Sequence, residues 1–178
     1  MSGFMINKLI VDMDTKYNNK HKTITFYRYD GINMKLKYLH SLVDAIYKNF
    51  EYLDGNIKMN HSRNSIENLL LSDSSIISLA LLKGSIVGYI IADVIDYKTE
   101  KLTHIYYLYT VPLHRGNGIA TYMLNLIQKY SIKSKIYMLS LALDTHNKSL
   151  VKFYTDNNFK YDARFRTFKR YDNMIKYI

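Results

Sequence analysis

The segment Arg115-Gly116-Asn117-Gly118-Ile119-Ala120 sets two closely spaced glycines behind a cationic side chain. Residue types in that order suit the binding of phosphate. Glycine lets the main chain approach an oxyanion and adopt conformations closed to other residues. A helix starting at the end of the segment would aim its unpaired N–H groups, and the positive end of its dipole, at the same anion. Arg115 could add charge-assisted hydrogen bonds. Two other phosphate loops do not fit. A Walker loop needs Gly-Lys-Ser/Thr after its glycines, and a dinucleotide fingerprint needs a third glycine with a later acidic residue. Ala120 could serve as the third small residue only if position 115 were glycine, and it is Arg115. Taken alone, the segment favours a phosphate cradle over a plain tight turn between a strand and a helix.

The flanking sequence supplies elements able to position such a loop. Pro112 ends a strand predicted from His104 to Val111, and Ile119, Met123, Leu126, Ile127 and Tyr130 form a helical stripe after it. Upstream, Thr23 to Arg28 alternates as a strand does, and Leu39, Leu42, Val43, Ile46 and Phe50 recur at helical spacing. Ile66, Leu69 and Leu70 suggest a second helix capped by Ser62 or Asn64. Ile76 to Leu82 and Ile86 to Val94 flank Lys83-Gly84-Ser85 as a hairpin, and a loop through Tyr97 and Glu100 leads to the strand at His104. Downstream, Ile136 to Leu143 reads as a strand, Lys148 to Asp156 as a short helix and Met174 to Ile178 as a closing strand. Residues 1–22 hold an apolar patch, Leu9-Ile10-Val11, and a polar stretch, which suggests an extra edge strand and a loop. The order, βααβββ–αβαβ, is that of an α/β fold around one mixed sheet.

With these elements in place, Leu108 to Ala120 resembles the acetyl-CoA signature of the GNAT acetyltransferase superfamily. That signature is a strand ending before a proline, then Arg/Gln-x-x-Gly-x-Gly/Ala. A second motif of the family is matched by Asn147-Lys148-Ser149-Leu150-Val151-Lys152-Phe153-Tyr154 and the following Asn158-Phe159. Asn158 stands where a glycine is usual, and asparagine tolerates a left-handed turn nearly as well. The resemblance spans residues 23–178 in element order and is specific over 104–159. It implies the GNAT fold, a mixed, mostly antiparallel twisted sheet with splayed parallel strands and about four flanking helices. The fold would form a single domain over 23–178, behind an N-terminal extension at 1–22.

The resemblance further implies an acetyl-CoA-dependent N-acetyltransferase acting on a primary amine of a protein, peptide or small molecule. Acetyl-CoA would be a cosubstrate held between two splayed parallel strands. Leu108, Tyr109 and Thr110 would pair with its pantetheine arm. Arg115, Gly116, Asn117, Gly118, Ile119, Ala120 and Thr121 would hold its pyrophosphate, and Asn147 would close the other side. Tyr154 matches the family's general acid for the departing thiolate. Some relatives place a titratable base five residues before the motif asparagine, which is Ala142 here. Others place one eleven residues before the basic loop residue, which is His104, and imidazole has a suitable ordinary pKa. Strand alternation would put His104, Tyr106, Leu108 and Thr110 on one face. Asp93, Asp96 and Asp144 are alternative acidic groups near strand ends. A catalytically silent CoA-binding module on the same fold is the competing reading.

Bulk properties narrow the field. In 178 residues, 48 % are hydrophobic and 22 % charged, ordinary for one soluble globular domain. Absence of cysteine excludes disulfides, thiolate metal sites and a cysteine nucleophile. No metal-ligand spacing of His, Asp and Glu occurs, and the expected chemistry needs no metal. Neither an apolar run of transmembrane length nor a secretory leader is evident, so the expected compartment is cytoplasmic, with no membrane partner. The net charge of +10 comes with many Asn, Ile, Lys and Tyr residues, and dispersed lysines favour codon bias over a nucleic-acid partner. The basic cluster Arg164, Arg166, Lys169 and Arg170 reads as a solvated hairpin edge. The expected partners are acetyl-CoA and the amine acceptor, and a homodimer is compatible with the sequence.

Overall fold

The computed structural model describes residues 9–17, 20–30, 35–50, 52–53, 57–58, 61–162, 164 and 171–178. Among these, an eight-stranded sheet runs β1-β2-β5-β6-β7-β8-β10-β9 across the molecule. Its strands are β1 (Leu9–Tyr17), β2 (Lys20–Asp30), β5 (Ser75–Leu82), β6 (Ser85–Tyr97), β7 (Glu100–Thr110), β8 (Met138–Asp144), β9 (Lys160–Tyr161) and β10 (Tyr171–Tyr177). The short β3 (Tyr52–Leu53) and β4 (Ile57–Lys58) pair separately. Every pairing in the large sheet is antiparallel except β7 with β8. Helices α1 (Lys35–Phe50) and α2 (Arg63–Leu71) precede β5. Helices α3 (Ile119–Lys133) and α4 (Lys148–Asp156) flank β8 in sequence. The mixed, mostly antiparallel sheet with four helices is the expected architecture.

Local rules explain most of these elements. Ser62 caps α2, its side chain accepting from Ser65 N while Ser65 reciprocates. The β5–β6 hairpin turns on Lys83 and Gly84, both at positive φ, as a two-residue hairpin loop demands. A second tight hairpin at Lys98-Thr99 joins β6 to β7, with Tyr97 opposite Glu100 and Lys98 at φ 54. This corrects the expected loop and lengthens both strands; without glycine or asparagine the turn carries little sequence signal. The expected edge strand is the longer β1, paired along β2. Residues 1–8, and Arg166, Lys169 and Arg170 of the basic cluster, lie outside the described residues.

Two apolar clusters cover the two faces of the sheet. One gathers Ile24, Phe26, Ile90, Ala92, Ile105, Leu139 and Leu141 beneath Ile119, Met123 and Ile127 of α3 and Tyr154 of α4. The other joins Leu79, Tyr89, Ile91 and Tyr107 to Leu42 and Ile46 of α1 and Ile66 and Leu70 of α2. This two-sided burial explains why β5 and β6 read as continuous apolar runs rather than alternating ones.

Candidate active site at the parting of two parallel strands

Strands β7 and β8 pair over only three rungs, Thr103 with Leu139, His104 with Ser140 and Ile105 with Leu141. Beyond them β7 continues to Thr110 and β8 to Asp144 with no further ladder between the two. Leu108, Tyr109 and Thr110 remain paired on their other side to Ile90, Tyr89 and Gly88. The segment Tyr106–Thr110 is thus a strand edge opening inside a sheet. Buried main-chain groups are nearly always paired, so such an edge suits an extended ligand carrying amides. Thr110 adds a buried hydroxyl without a hydrogen-bond partner.

The divergence begins at a β-bulge. Ile91 pairs with Tyr107 but its neighbour Ala92 pairs with Ile105, which leaves Tyr106 as the extra residue. Ile105 and Leu108 therefore pack on the α3 side, whereas Tyr107 and Tyr109 pack on the α1–α2 side. Simple alternation placed His104, Tyr106, Leu108 and Thr110 on one face; the bulge overturns this. The face of His104 is continued by Tyr107 and Tyr109, and Leu108 belongs to the opposite side.

The loop after β7 is built to present main-chain N–H groups. His114 N donates to Val111 O and Arg115 N to Pro112 O, closing a 3-10 turn over Pro112–His114. Asn117 Nδ2 donates to the carbonyls of His114 and Arg115 at 3.2 and 3.0 Å. Gly116 and Gly118 take φ 77 and 75, the left-handed region that costs other residues about 1–2 kcal/mol. Gly118 is the N-cap of α3 and supplies no side-chain acceptor, unlike Ser62 of α2 and Asn147 of α4. The first-turn amides of Ile119, Ala120 and Thr121 are left for an external anion. Arg115 Nε donates to Thr110 O at 3.0 Å and its guanidinium lies 5.7 Å from the Tyr109 ring. It braces the loop against the end of β7.

Gly88, on β6, is a site residue that the motif reading missed. A Cβ there would lie 3.1 Å from Tyr109 O, 3.2 Å from Ile119 Cγ2 and 3.2 Å from Met123 Cε. The absent side chain lets the first turn of α3 settle on the sheet beside the strand edge. An isolated glycine inside an apolar strand was the available signal.

Across the gap, α4 begins at Asn147, whose Oδ1 accepts from Leu150 N at 3.1 Å and from the Ser149 hydroxyl at 2.8 Å. Asn147 is thus an N-cap that sets the direction of α4. Tyr154, in the last turn of α4, is buried with its ring edge-on to Phe153 and Phe159. Burial pushes its phenol well above the ordinary value, so it stays protonated across the neutral range. Asn158 takes φ 67, the left-handed turn expected at that position.

On the other face, His104 Nδ1 lies 2.8 Å from Ser140 Oγ, and its ring meets that of Tyr106 edge-on at 4.6 Å. Burial pushes the imidazole down to about 4. Asp93 pairs with His104 across β6, but its Oδ1 accepts from Val94 N at 2.8 Å. Ala142 and Asn173 lie opposite each other in the next row, and Asp144, buried at the end of β8, accepts from His146 N. Further along, the Tyr107 hydroxyl bonds His61 Nδ1 at 2.9 Å. His104 and Tyr154 therefore sit on opposite faces of the sheet, on either side of the gap where β7 and β8 part. Among the described residues no His, Asp and Glu group could hold a metal ion. No described helix is long and apolar enough to cross a membrane.

Comparison with known proteins finds the same fold. The fold resembles the PaiA N-acetyltransferase of Thermoplasma acidophilum in complex with coenzyme A, with TM-score 0.68, 17 % identity, and 87 % of this chain and 99 % of that one covered. It resembles NAA60 of Arabidopsis thaliana in complex with acetyl-CoA at TM-score 0.66 and 17 % identity, covering 87 % and 99 % of the two chains. A third likeness is to an aminoglycoside acetyltransferase, meta-AAC0020, from an uncultured soil metagenomic sample in complex with trehalose. Its TM-score is 0.64 at 18 % identity, with 82 % of this chain and 94 % of that one covered. No curated protein sequence matches the chain. The model of the acetyltransferase (GNAT) family matches residues 39–159, more than half the chain and including both motifs. With its parted parallel strands and its uncapped helix behind a glycine loop, the chain belongs to the GNAT acetyltransferase family.

Proposed function

We propose that the protein transfers the acetyl group of acetyl-CoA to a primary amine. The observation that carries this reading is the open edge at Tyr106–Thr110, which ends beside the uncapped start of α3. An extended amide-bearing arm fits the first and a pyrophosphate fits the second. Main-chain groups of Leu108, Tyr109 and Thr110 receive the pantetheine arm. The N–H groups of Gly116, Asn117, Gly118, Ile119, Ala120 and Thr121 receive the pyrophosphate, with Arg115 bracing them. Asn147 acts on the cofactor indirectly, by aiming α4. The acetyltransferase domain comprises residues 23–178, and 1–22 extend it.

In the reaction a neutral amine attacks the thioester carbonyl, a C–N bond forms and the C–S bond breaks. Tyr154, buried and protonated, donates its proton to the leaving thiolate and is reprotonated from solvent. His104 accepts the proton released by the acceptor nitrogen, directly or through water. One of the similar proteins is an aminoglycoside acetyltransferase, and the acceptor here is defined by its amine.

The test is acetyl-CoA turnover across a panel of short peptides, spermidine, glucosamine and tobramycin. Turnover with at least one amine, together with coenzyme A binding in calorimetry, is the expected result. Tight binding without turnover on any amine would favour a silent CoA-binding module.

A further inference from the structure

The last rung of the parallel ladder but one carries a side-chain bond as well as a backbone register. His104 and Ser140 face each other across β7 and β8, and Ser140 Oγ lies 2.8 Å from His104 Nδ1. Ser140 is 3 % exposed, so its hydroxyl has no ready exchange with bulk water. A serine placed in the apolar run Met138–Leu143 needs such a partner, because an unpaired buried hydroxyl costs stability. The His104 Nε2 bears no protein hydrogen bond among the described residues, and Tyr106, exposed at the bulge, covers the ring edge-on.

We infer that Ser140 is a positioning residue that holds His104 by Nδ1 across the root of the strand gap, so that Nε2 is the nitrogen receiving the acceptor's proton. The inference rests on His104 acting as the proton acceptor. A hydroxyl suits the task because it both donates and accepts. When Nδ1 carries hydrogen, Ser140 accepts it, and the Nε2 lone pair is free to take the proton released by the attacking nitrogen. When Nε2 carries hydrogen, Ser140 donates to Nδ1. Both neutral tautomers and the imidazolium thus keep the same heavy-atom position. A carboxylate in the same place would hold the ring equally but favour its charged form. The titratable neighbours do not replace Ser140. Asp93 is engaged with Val94 N, Tyr106 touches the ring by its edge, and Tyr107 is turned to His61. The row runs on through uncharged Ile175 of β10 to Lys160 of β9, two strands beyond Ser140.

The test compares Ser140→Asp, Ser140→Ala and Ser140→Thr in the full chain. Two readouts are followed: the NMR titration of the His104 ring, and the pH profile of kcat/KM with the fastest amine of the panel above. In Ser140→Asp the His104 titration should move up by more than one pH unit, and the low-pH limb of the rate should move with it. If the ring titration stays in place, the positioning contact is refuted. If the ring moves and the rate limb does not, the contact stands but His104 is not the proton acceptor. If Ser140→Asp does not fold, the other pair decides. Ser140→Ala should lower kcat about tenfold with unchanged coenzyme A affinity, and Ser140→Thr, which keeps the hydroxyl, should stay within about threefold of the parent. Full activity in Ser140→Ala would overturn the inference.

Discussion

An imidazole lowered to about 4 by burial behaves differently from one in water. His104 presents a lone pair throughout the neutral range, but a proton passing to it from an α-ammonium group climbs roughly four pH units, on the order of 5 kcal/mol. Turnover should therefore follow the fraction of acceptor already neutral. The profile of kcat/KM should rise with unit slope toward the acceptor's own pKa, with no break near 6.5 and a steeper fall only near pH 4. A break near 6.5 in wild type that His104→Ala removes would place the ring in a solvated state. His104→Ala should also abolish the steep acidic fall. Tyr154 has the opposite requirement, a proton held at neutral pH, and burial supplies it. Tyr154→Phe should reduce kcat about 100-fold, the lower range of general-acid contributions, with coenzyme A affinity within twofold by calorimetry. Equal loss of both would mark a packing role for the ring against Phe153 and Phe159.

At the scale of elements, the site depends on how closely α3 meets the sheet and on how α4 is aimed. Gly118→Glu puts a side chain into the left-handed cap and a negative charge at the amides meant for phosphate, so coenzyme A binding should disappear in calorimetry. Gly88→Ala tests the packing beneath that cap. Its methyl group would press on Tyr109 O, Ile119 and Met123, and overpacking of this kind costs about 1–3 kcal/mol. Both a lower denaturant midpoint and weaker coenzyme A binding are expected; normal affinity with lowered stability would detach Gly88 from the site. Asn147 separates a cap from a ligand contact. Asn147→Ala should cost about 1 kcal/mol of stability, whereas Asn147→Asp should keep the cap and leave coenzyme A affinity unchanged.

Over the whole molecule, the parted strands leave an internal edge for a ligand to complete. Saturating coenzyme A at 100 times its Kd should stabilise the fold by about 2.7 kcal/mol, read as a rise in Tm. Amide hydrogen exchange should slow most at Tyr106–Thr110 and Gly116–Thr121. Protection spread evenly over the sheet would argue against an added-strand mode of binding. The buried imidazole also links stability to acid. Because the unfolded chain takes up a proton at His104 near 6.5 and the folded chain only near 4, stability from this group is complete above 6.5. It is lost as pH falls toward about 4. His104→Gln should flatten that part of the stability curve in denaturant titrations at several pH values.

The sequence by itself determined the features that depend on neighbours along the chain. The Gly116–Gly118 loop, the stripe on α3, a cap for α2 at Ser62 or Asn64 and the left-handed turn at Asn158 follow from short-range backbone chemistry. Together with the family resemblance they sufficed for the fold. Only the tertiary structure decided what β7 does against its partners. The bulge at Tyr106 reverses the facing of every residue after it, and alternation read from sequence cannot register an extra residue that only cross-strand pairing defines. Ser140 lies 36 residues from His104 in the chain, and their meeting depends on the register of two parallel strands joined through a whole helix. Arg115, whose type alone suggested a phosphate ligand, spends its Nε on the Thr110 carbonyl. Residue type states which bonds a side chain can form, but packing of distant elements selects which of them it does form.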